Sequence, residues 1–290
     1  MISLDDAHKK FILDLKKKGR AEATRLAYSK DITQLIDFLK KNKINNLKDV
    51  KLEHLNKFML FLTEEGLTNK TISRKTNSTR TFFNFLRSAN YLDINPAQNL
   101  KHPEIKPHAP RILSKLEYRA LRDAVRKDIR TAAIVELLLQ TGIRIGELAR
   151  LKLSDIKLDN GNGEIYIAEF GSHEARVVPL NDAAEDAIKK YLEIRPTNVK
   201  SDNLFITKTG RPLLVRNIRA TLNRYFEKAE LNNVKVNDLR HTFIAHHLTQ
   251  GANLLTISKI AGHKRISTTE KYLQYIKNPN KKNAVELKEL

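Results

Sequence analysis

The chain of 290 residues is long enough for one large domain or two of ordinary size. It is 41% hydrophobic, 30% charged and free of cysteine, which excludes a disulfide framework, a cysteine-ligated zinc and a thiol nucleophile. Its net charge of +20 favours a nucleic-acid partner, because each phosphate that is neutralised releases counterions. A general lysine bias is the alternative explanation of that charge.

The sequence also indicates where the protein works. No window approaches the ~18 uninterrupted apolar residues of a membrane span. The first ten residues, MISLDDAHKK, lack the apolar core of a signal peptide. We therefore expect a cytoplasmic protein with no membrane partner.

Helical periodicity dominates the first hundred residues. The apolar spacing predicts a first helix at about 4–17, followed by apolar stripes over 26–39 and 52–62. A further helix closes with the aromatic residues of 82–86. The outward faces carry basic residues that meet either phosphates or solvent: Lys70, Arg74, Lys75 and Arg80.

A proline-rich stretch, KHPEIKPHAPRIL (101–113), separates the two parts of the chain. Proline blocks regular helix and removes backbone donors, so this stretch predicts an extended linker. We assign residues 1–100 to a helical domain, 101–111 to the linker, 112–276 to a second domain and 277–290 to a C-terminal tail.

The second domain is predicted to be helical around one β-hairpin. Ser114 should cap a helix over 115–127, and an apolar helix follows at 131–140, with a short one from Ile145. The segments GEIYIAEF and ARVVPL flank GSHE as a hairpin. Later helices are expected at 182–194, 215–230, 238–250, 254–261 and around Tyr272. The fold class is therefore mainly α with a small β-hairpin or sheet.

Three segments of the second domain contain the side chains for phosphodiester chemistry. TGIRIGELARL (141–151) contains Arg144, VNDLRHTFIAHHL (236–248) contains Arg240, and IAGHKRISTTEKYLQY (260–275) contains His263 and Tyr272. A phenol can attack phosphorus and form a covalent intermediate. Guanidinium groups can hold the nonbridging phosphate oxygens bidentately.

These segments, together with RVVPL (176–180) and YLDINPA (91–97), resemble the tyrosine recombinases of the phage integrase family, and in size and layout the Xer type. The resemblance implies an N-terminal helical core-binding (SAM-like) domain and a catalytic domain that clamp double-stranded DNA. It implies that Tyr272 is the nucleophile of a 3′-phosphotyrosyl intermediate, that Arg144 and Arg240 hold the phosphate, and that His263 assists.

The resemblance further implies a site-specific recombinase that works without a metal or other cofactor. A homotetramer on paired DNA sites is expected. The tail 277–290 should dock on a neighbouring protomer through Val285, Leu287 and Leu290. Accessory proteins and the target site cannot be read from the sequence.

The first departure from the family pattern lies in the hairpin. The family places a lysine there to protonate the leaving 5′-oxygen, but no lysine lies between Lys157 and Lys189. We hypothesise that His173 substitutes for it, since a free histidine is partly protonated near neutrality and a phosphate favours its charged form. The alternative is that His173 only faces solvent or a phosphate.

The second departure is Asn237, three residues before Arg240, where the family often has histidine. Asparagine can donate a hydrogen bond to phosphate but cannot transfer a proton. Its alternative role is that of a helix N-cap. His241, His246 and His247 are assigned to packing or capping, and the spacing of His241 and His246 lacks a second ligand pair for zinc.

Two other functions use the same fold. A catalytically weakened DNA-binding protein would explain the missing lysine and the missing first histidine. A relaxing activity like that of type IB topoisomerases would use the same chemistry without paired sites. The retained Tyr272, His263 and both arginines favour the recombinase.

Overall fold

The computed structural model describes residues 2–106, 108–160, 162–171, 173–197 and 199–276, and the chain forms two compact units, Met1–Pro107 and His108–Leu290. Each unit has its own apolar core. The predicted C-terminal tail, 277–290, lies outside the described residues. No helix among the described residues is long and apolar enough to cross a bilayer.

The described residues of the first unit form four α-helices around one core, with a short 3-10 helix at Leu47–Asp49. They are α1 (Leu4–Lys17), α2 (Glu22–Lys41), α3 (Leu52–Glu64) and α4 (Asn69–Ser88). The hydroxyls of Ser3 and Thr68 accept from the first turns of α1 and α4, so local capping defines where these helices start. Phe11 and Phe82 meet edge to face in the core, with ring centroids 5.3 Å apart.

A buried ionic cluster crosses the first unit between α2 and α4. Asp31, 2% exposed, accepts hydrogen bonds from Lys75 (2.9 Å), Ser78 (3.0 Å) and Arg74. The prediction that Lys75 lies on an outward face is therefore wrong, because this lysine is only 7% exposed. The prediction that Leu26 belongs to the apolar stripe of α2 is also wrong, because Leu26 is exposed.

The second unit surrounds a small sheet with helices. The helices and strands of this unit are, in chain order, α5 (Lys115–Val125), α6 (Ile129–Thr141), α7 (Ile145–Leu148), β1 (Ile156–Lys157), β2 (Glu164–Ile167), β3 (Arg176–Pro179), α8 (Asp182–Ile194), α9 (Val215–Lys228), α10 (Val236–Thr249), α11 (Leu254–Ala261) and α12 (Ser267–Glu270), with a 3-10 turn at Lys271–Gln274. The predicted Ser114 cap of α5 is confirmed, since Ser114 Oγ accepts from the Glu117 N–H.

The sheet is antiparallel in the order β1-β2-β3. Ile165 pairs with Val178, and both side chains are fully buried against the helices, whereas Tyr166 on the opposite face is exposed. This alternation confirms the predicted hairpin. The short strand β1 was not predicted, since two residues give no readable alternation.

A third, smaller apolar cluster lies apart from the main core of the second unit. It joins α10, α11 and the 3-10 turn through seven buried residues: Phe243, Ile244, Ala245, Leu248, Ile257, Ala261 and Tyr272. The ring of Tyr272 is therefore held by the packing of two helices that are adjacent in sequence.

The ionic cluster predicts a large stability effect in the first unit. Asp31→Ala leaves the buried Lys75 without its counter-charge, and we expect a loss of about 3–5 kcal/mol in the free energy of unfolding. Asp5→Ala is the matched control, because the Asp5–Lys40 pair is exposed on both sides and should contribute only about 0–1 kcal/mol. Denaturant unfolding would measure the loss of unfolding free energy in each variant, as a shift of the midpoint at unchanged slope. Similar losses in the two variants would contradict the prediction.

Candidate active site

Three arginines from distant parts of the chain meet at the C-terminal end of α11. Arg176 Nε donates to the carbonyl of Ile260 (2.7 Å), Arg240 Nη2 to that of Ala261 (2.5 Å), and Arg144 Nη2 to that of Gly262 (2.9 Å). The last carbonyls of a helix lack intrahelical partners and carry partial negative charge. The end of α11 is thus a natural acceptor for several guanidinium groups.

Glu147 contributes a formal negative charge to this cluster, in addition to the partial charges of the carbonyls. It is 6% exposed and accepts from Arg144 Nη1 (2.9 Å) and from both terminal nitrogens of Arg176 (3.0 and 2.7 Å). Burial alone would raise the pKa of Glu147, but the hydrogen bonds from Arg176 and from the Arg144 backbone, with the charges of both arginines, lower it to about 2. Glu147 thus bonds Arg144, which lies three residues before it in the chain.

Arg240 is the most buried of the cations, with 5% exposure. Burial, followed by the charge of Arg144, lowers its pKa to about 10, so it stays protonated at neutral pH. Its Nη1 also donates to the carbonyl of Gly142 (2.6 Å). Among the described residues, these two carbonyl bonds occupy two of the five guanidinium N–H groups, which leaves three N–H groups for an anion.

Two glycines with left-handed backbones make this packing possible. Gly142 ends α6 with φ +61°, and a Cβ there would lie 2.3 Å from the ring of Phe243. Gly262 ends α11 with φ +66°, and a Cβ there would lie 2.8 Å from the guanidinium of Arg176. Both positions need glycine for conformation and for space.

Tyr272 lies beside the arginine cluster and is 6% exposed. Its Oη is 2.5 Å from Nδ1 of His241. Burial raises the pKa of Tyr272, while the charge of Arg240 acts to lower it. The phenol is therefore neutral at rest, with a cation close by that would stabilise the phenolate.

His263 packs on the same tyrosine. The two rings are nearly parallel, 19° apart, with centroids separated by 6.5 Å, and Nδ1 of His263 bonds Oγ1 of Thr269 at 2.7 Å. Burial, followed by the charges of Arg240 and Arg144, lowers the pKa of His263 to about 4. The ring is therefore neutral at physiological pH.

Asn237 is not the N-cap of its helix, so that part of the sequence interpretation is wrong. Helix α10 begins at Val236, and the cap residue is Lys235, whose backbone N–H donates to the carboxylate of Asp238 (2.7 Å). Asn237 lies inside the first turn, where its Nδ2 is 2.8 Å from Nε2 of His241.

His173 follows the turn of the β2–β3 hairpin. Its backbone exchanges hydrogen bonds with Phe170 (2.9 and 3.0 Å), and the guanidinium of Arg150 lies 3.8 Å above the Phe170 ring, which fastens the hairpin end to the segment after α7. Nδ1 of His173 is buried and has no hydrogen-bond partner among the described residues. The side chain lines a cavity of about 700 Å³ together with Arg176, Lys259, His263 and Lys264, among others.

The protonation of His173 differs from the sequence-based expectation. Burial lowers its pKa from 6.5, and the charges of Arg144, Lys264 and Arg176 lower it further, while Glu147 acts in the opposite direction. The unliganded protein therefore holds this ring mostly neutral. Only an added negative charge, such as a phosphate, would raise the pKa again.

The structure brings all six residues selected from the sequence to one region, and it adds two others. His241 had been assigned to packing or capping, yet it contacts the tyrosine hydroxyl. Arg176 had no assigned role, yet it completes the arginine cluster. The arginine preceding VVPL was the available sequence signal for Arg176; no local signal distinguished His241 from His246 and His247.

Comparison with known proteins places this chain in a family. Residues 111–278 match the phage integrase family, and residues 9–90 match the phage integrase N-terminal SAM-like domain. The tyrosine recombinase XerC of Staphylococcus carnosus is 33% identical over 86% of this chain and 85% of its own length, and that of Oceanobacillus iheyensis is 31% identical over 90% and 88%. The chain belongs to the phage integrase family.

Solved structures share the fold. The XerH site-specific recombinase bound to palindromic difH substrate, a post-cleavage complex, has a TM-score of 0.76 and 21% identity over 90% of this chain and 78% of its own. A lambda integrase dimer bound to a COC′ core site also has a TM-score of 0.76, with 16% identity over 92% and 97%.

The packing at Gly262 gives a stability prediction with an internal control. Gly262→Ala and Gly251→Ala both force a left-handed alanine, which should cost about 1–2 kcal/mol. Only Gly262→Ala also displaces a buried guanidinium, because nothing lies within 4 Å of a Cβ at Gly251. We expect its total loss to reach about 3–5 kcal/mol, as for a broken buried ion pair. Equal denaturant midpoints for the two variants would contradict this.

Proposed function

We propose that this chain is a site-specific DNA recombinase that cuts and rejoins double-stranded DNA through a 3′-phosphotyrosyl intermediate on Tyr272. The observation that carries the proposal is the position of the Tyr272 hydroxyl, which is buried beside Arg240 and bonded to a histidine. Membership of the phage integrase family supports it, as do relatives named tyrosine recombinase XerC and the fold shared with DNA-bound recombinases.

The arginines are the proposed phosphate clamp. Arg144 and Arg240 would hold the two nonbridging oxygens of the scissile phosphate, where negative charge grows in the transition state. Glu147 and the carbonyls at the end of α11 fix both guanidinium groups before DNA arrives. No reorganisation of these cations is then needed during the reaction.

Tyr272 is the proposed nucleophile. Its Oη attacks phosphorus, the bond to the 5′-oxygen breaks, and a 5′-hydroxyl is released. The phosphotyrosyl bond conserves the energy of the phosphodiester, so attack by a 5′-hydroxyl can reverse the step without a nucleotide cofactor. His263, neutral and stacked near Tyr272, would donate a hydrogen bond to the phosphate.

The two units are proposed to close on DNA from two sides as a clamp, with residues 1–100 as the core-binding domain, 101–111 as the linker and 112–276 as the catalytic domain. Both parts of the chain are basic, with net charges of +9 over residues 1–110 and +11 over the remainder, which suits such a clamp. Exchange of strands between two duplexes needs four copies, so we propose a homotetramer on paired sites, joined through the tail 277–290.

His173 is the proposed proton donor for the leaving oxygen. It lines the cavity that His263 and Arg176 also line, and its buried Nδ1 lacks a partner among the described residues. Binding of the scissile phosphate would raise its pKa from the lowered resting position. The absence of a hairpin lysine supports the alternative of a DNA-binding protein with weakened cleavage, and the same experiments separate the two.

The function is tested with nicked suicide duplexes tiled across the DNA that flanks the gene. Wild type should give a slowly migrating covalent band on a denaturing gel, and Tyr272→Phe should give none, because it lacks the attacking oxygen. Tyr275→Phe is the matched control, since Tyr275 is 37% exposed. Retarded native complexes without any covalent band would support the DNA-binding alternative.

The role of His173 is tested with a substrate whose leaving 5′-oxygen is replaced by sulfur. His173→Gln should slow cleavage of the oxygen substrate by about 10²–10⁴-fold. It should leave the sulfur substrate near the wild-type rate, because a thiolate with a pKa of about 8.5 leaves without protonation. The wild-type rate on the oxygen substrate should also fall as pH rises through the pKa of His173 in the complex.

Lys264→Gln is the informative comparison for His173. Lys264 lines the same cavity, and its charge lowers the pKa of His173, so it is a candidate for a replacement lysine. If Lys264→Gln showed the oxygen-specific defect and His173→Gln did not, the proton donor would be Lys264 and the assignment of His173 would be wrong.

A further inference from the structure

A chain of two hydrogen bonds reaches the Tyr272 hydroxyl from α10. Asn237 and His241 are four residues apart on that helix, so their side chains share one face. Nδ2 of Asn237 lies 2.8 Å from Nε2 of His241, and Nδ1 of His241 lies 2.5 Å from Oη of Tyr272. Each ring nitrogen of His241 therefore has one partner, and the partner of Nε2 determines which nitrogen carries the proton.

Asn237 can support either tautomer of His241. A half-turn of its amide exchanges Nδ2 and Oδ1 without moving the rest of the side chain. With Nδ2 towards the ring, Nδ1 of His241 carries the proton and donates it to Tyr272. With Oδ1 towards the ring, Nε2 carries the proton and Nδ1 presents a lone pair to the phenol.

The chemistry selects the second arrangement. When Oη of Tyr272 bonds to phosphorus, its proton must pass to an acceptor within hydrogen-bond distance. The hydrogen-bond partner of Oη that the described residues supply is Nδ1 of His241, whereas Nδ1 of His263 is bonded to Thr269. A proton already on Nδ1 of His241 would leave the phenolic proton without this acceptor.

We propose that His241 is the general base that takes the phenolic proton of Tyr272, and that Asn237 is the positioning residue that fixes the His241 tautomer. The proposal rests on the proposed cleavage function. In the step, the O–H bond of Tyr272 breaks as Oη bonds to phosphorus, and Nδ1 of His241 gains the proton. The bond from phosphorus to the 5′-oxygen breaks, and that oxygen takes a proton from His173.

The surroundings of His241 and Tyr272 disfavour proton transfer from the phenol to the imidazole in the unliganded protein. Burial, followed by the charge of Arg240, lowers the pKa of His241, while Asp238 raises it; His263 and Tyr272 also face the ring. Burial raises the pKa of Tyr272. Proton transfer is therefore uphill at rest, and it becomes favourable as phosphorus withdraws electron density from Oη.

The experiment measures the single-turnover rate of covalent adduct formation on a suicide duplex at saturating protein, across roughly pH 5 to 9, where histidine titrates. In wild type the rate should rise with pH as His241 becomes neutral, and it should fall again at higher pH as His173 in the complex loses its proton. His241→Asn places an amide near the position of Nδ1 that can bond Tyr272 but cannot accept a proton. We expect a loss of about 10²–10⁴-fold and no rising limb.

His246→Asn is the control on the same helix, because His246 lines a different cavity, and it should cleave at the wild-type rate. Native DNA complexes and thermal unfolding establish that each variant is folded. Asn237→Asp tests the positioning role separately. A carboxylate accepts from Nε2 and stabilises the imidazolium, so the rising limb should move to higher pH.

Two results would overturn the proposal. One is an unchanged rate and pH profile in His241→Asn; the other is a rate that falls by the same factor at every pH in both His241→Asn and Asn237→Asp, as a purely structural role would give. Failure of the cleavage function itself would look different. Wild type would then form no Tyr272-dependent adduct. If only the proposed roles of His241 and Asn237 are wrong, wild-type cleavage stays intact.

Discussion

The site depends on three like charges held together at the end of one helix. Arg144, Arg176 and Arg240 repel one another, and each loses hydration on burial, so they can converge only where negative charge is concentrated. Glu147 and the carbonyls of residues 260–262 provide it. Because these acceptors belong to the protein, the guanidinium groups are fixed without a bound anion, which is the preorganisation that the proposed phosphate clamp requires.

This constraint explains why the second unit is built from segments so far apart in sequence. Arg144 follows α6, Arg176 lies on β3, and Arg240 lies within α10. All three donate to carbonyls at the end of α11. Gly142 and Gly262 end two of these helices at the contact points and leave room for Phe243 and Arg176. The helical framework thus brings three arginine-bearing segments to one carbonyl cluster at the end of α11, and the hairpin adds His173 from the side.

Much of this organisation could be predicted from the sequence. Apolar periodicity located the helices, because burial of one face leaves a regular pattern. The position of Asn237 inside the first turn of α10 could not be obtained this way, since asparagine is a good cap by itself and only the Lys235–Asp238 bond shows that the cap lies elsewhere. His241 was missed because its contact with Tyr272 depends on how the 3-10 turn packs on α10. The lowered pKa of His263 and of His173 depends on burial beside three cations, which no local pattern records.

Tyr272 belongs to a small apolar cluster that is separate from the main core of its unit. A segment held by few buried contacts can open at a fraction of the free energy of global unfolding. Backbone amides of residues 267–274 should therefore exchange with deuterium through local opening, earlier than those of α6, whose buried face lies in the main core. Tyr272, the proposed nucleophile, would then sit on an independently opening cooperative segment, able to leave and re-enter its position while the arginine cluster stays assembled.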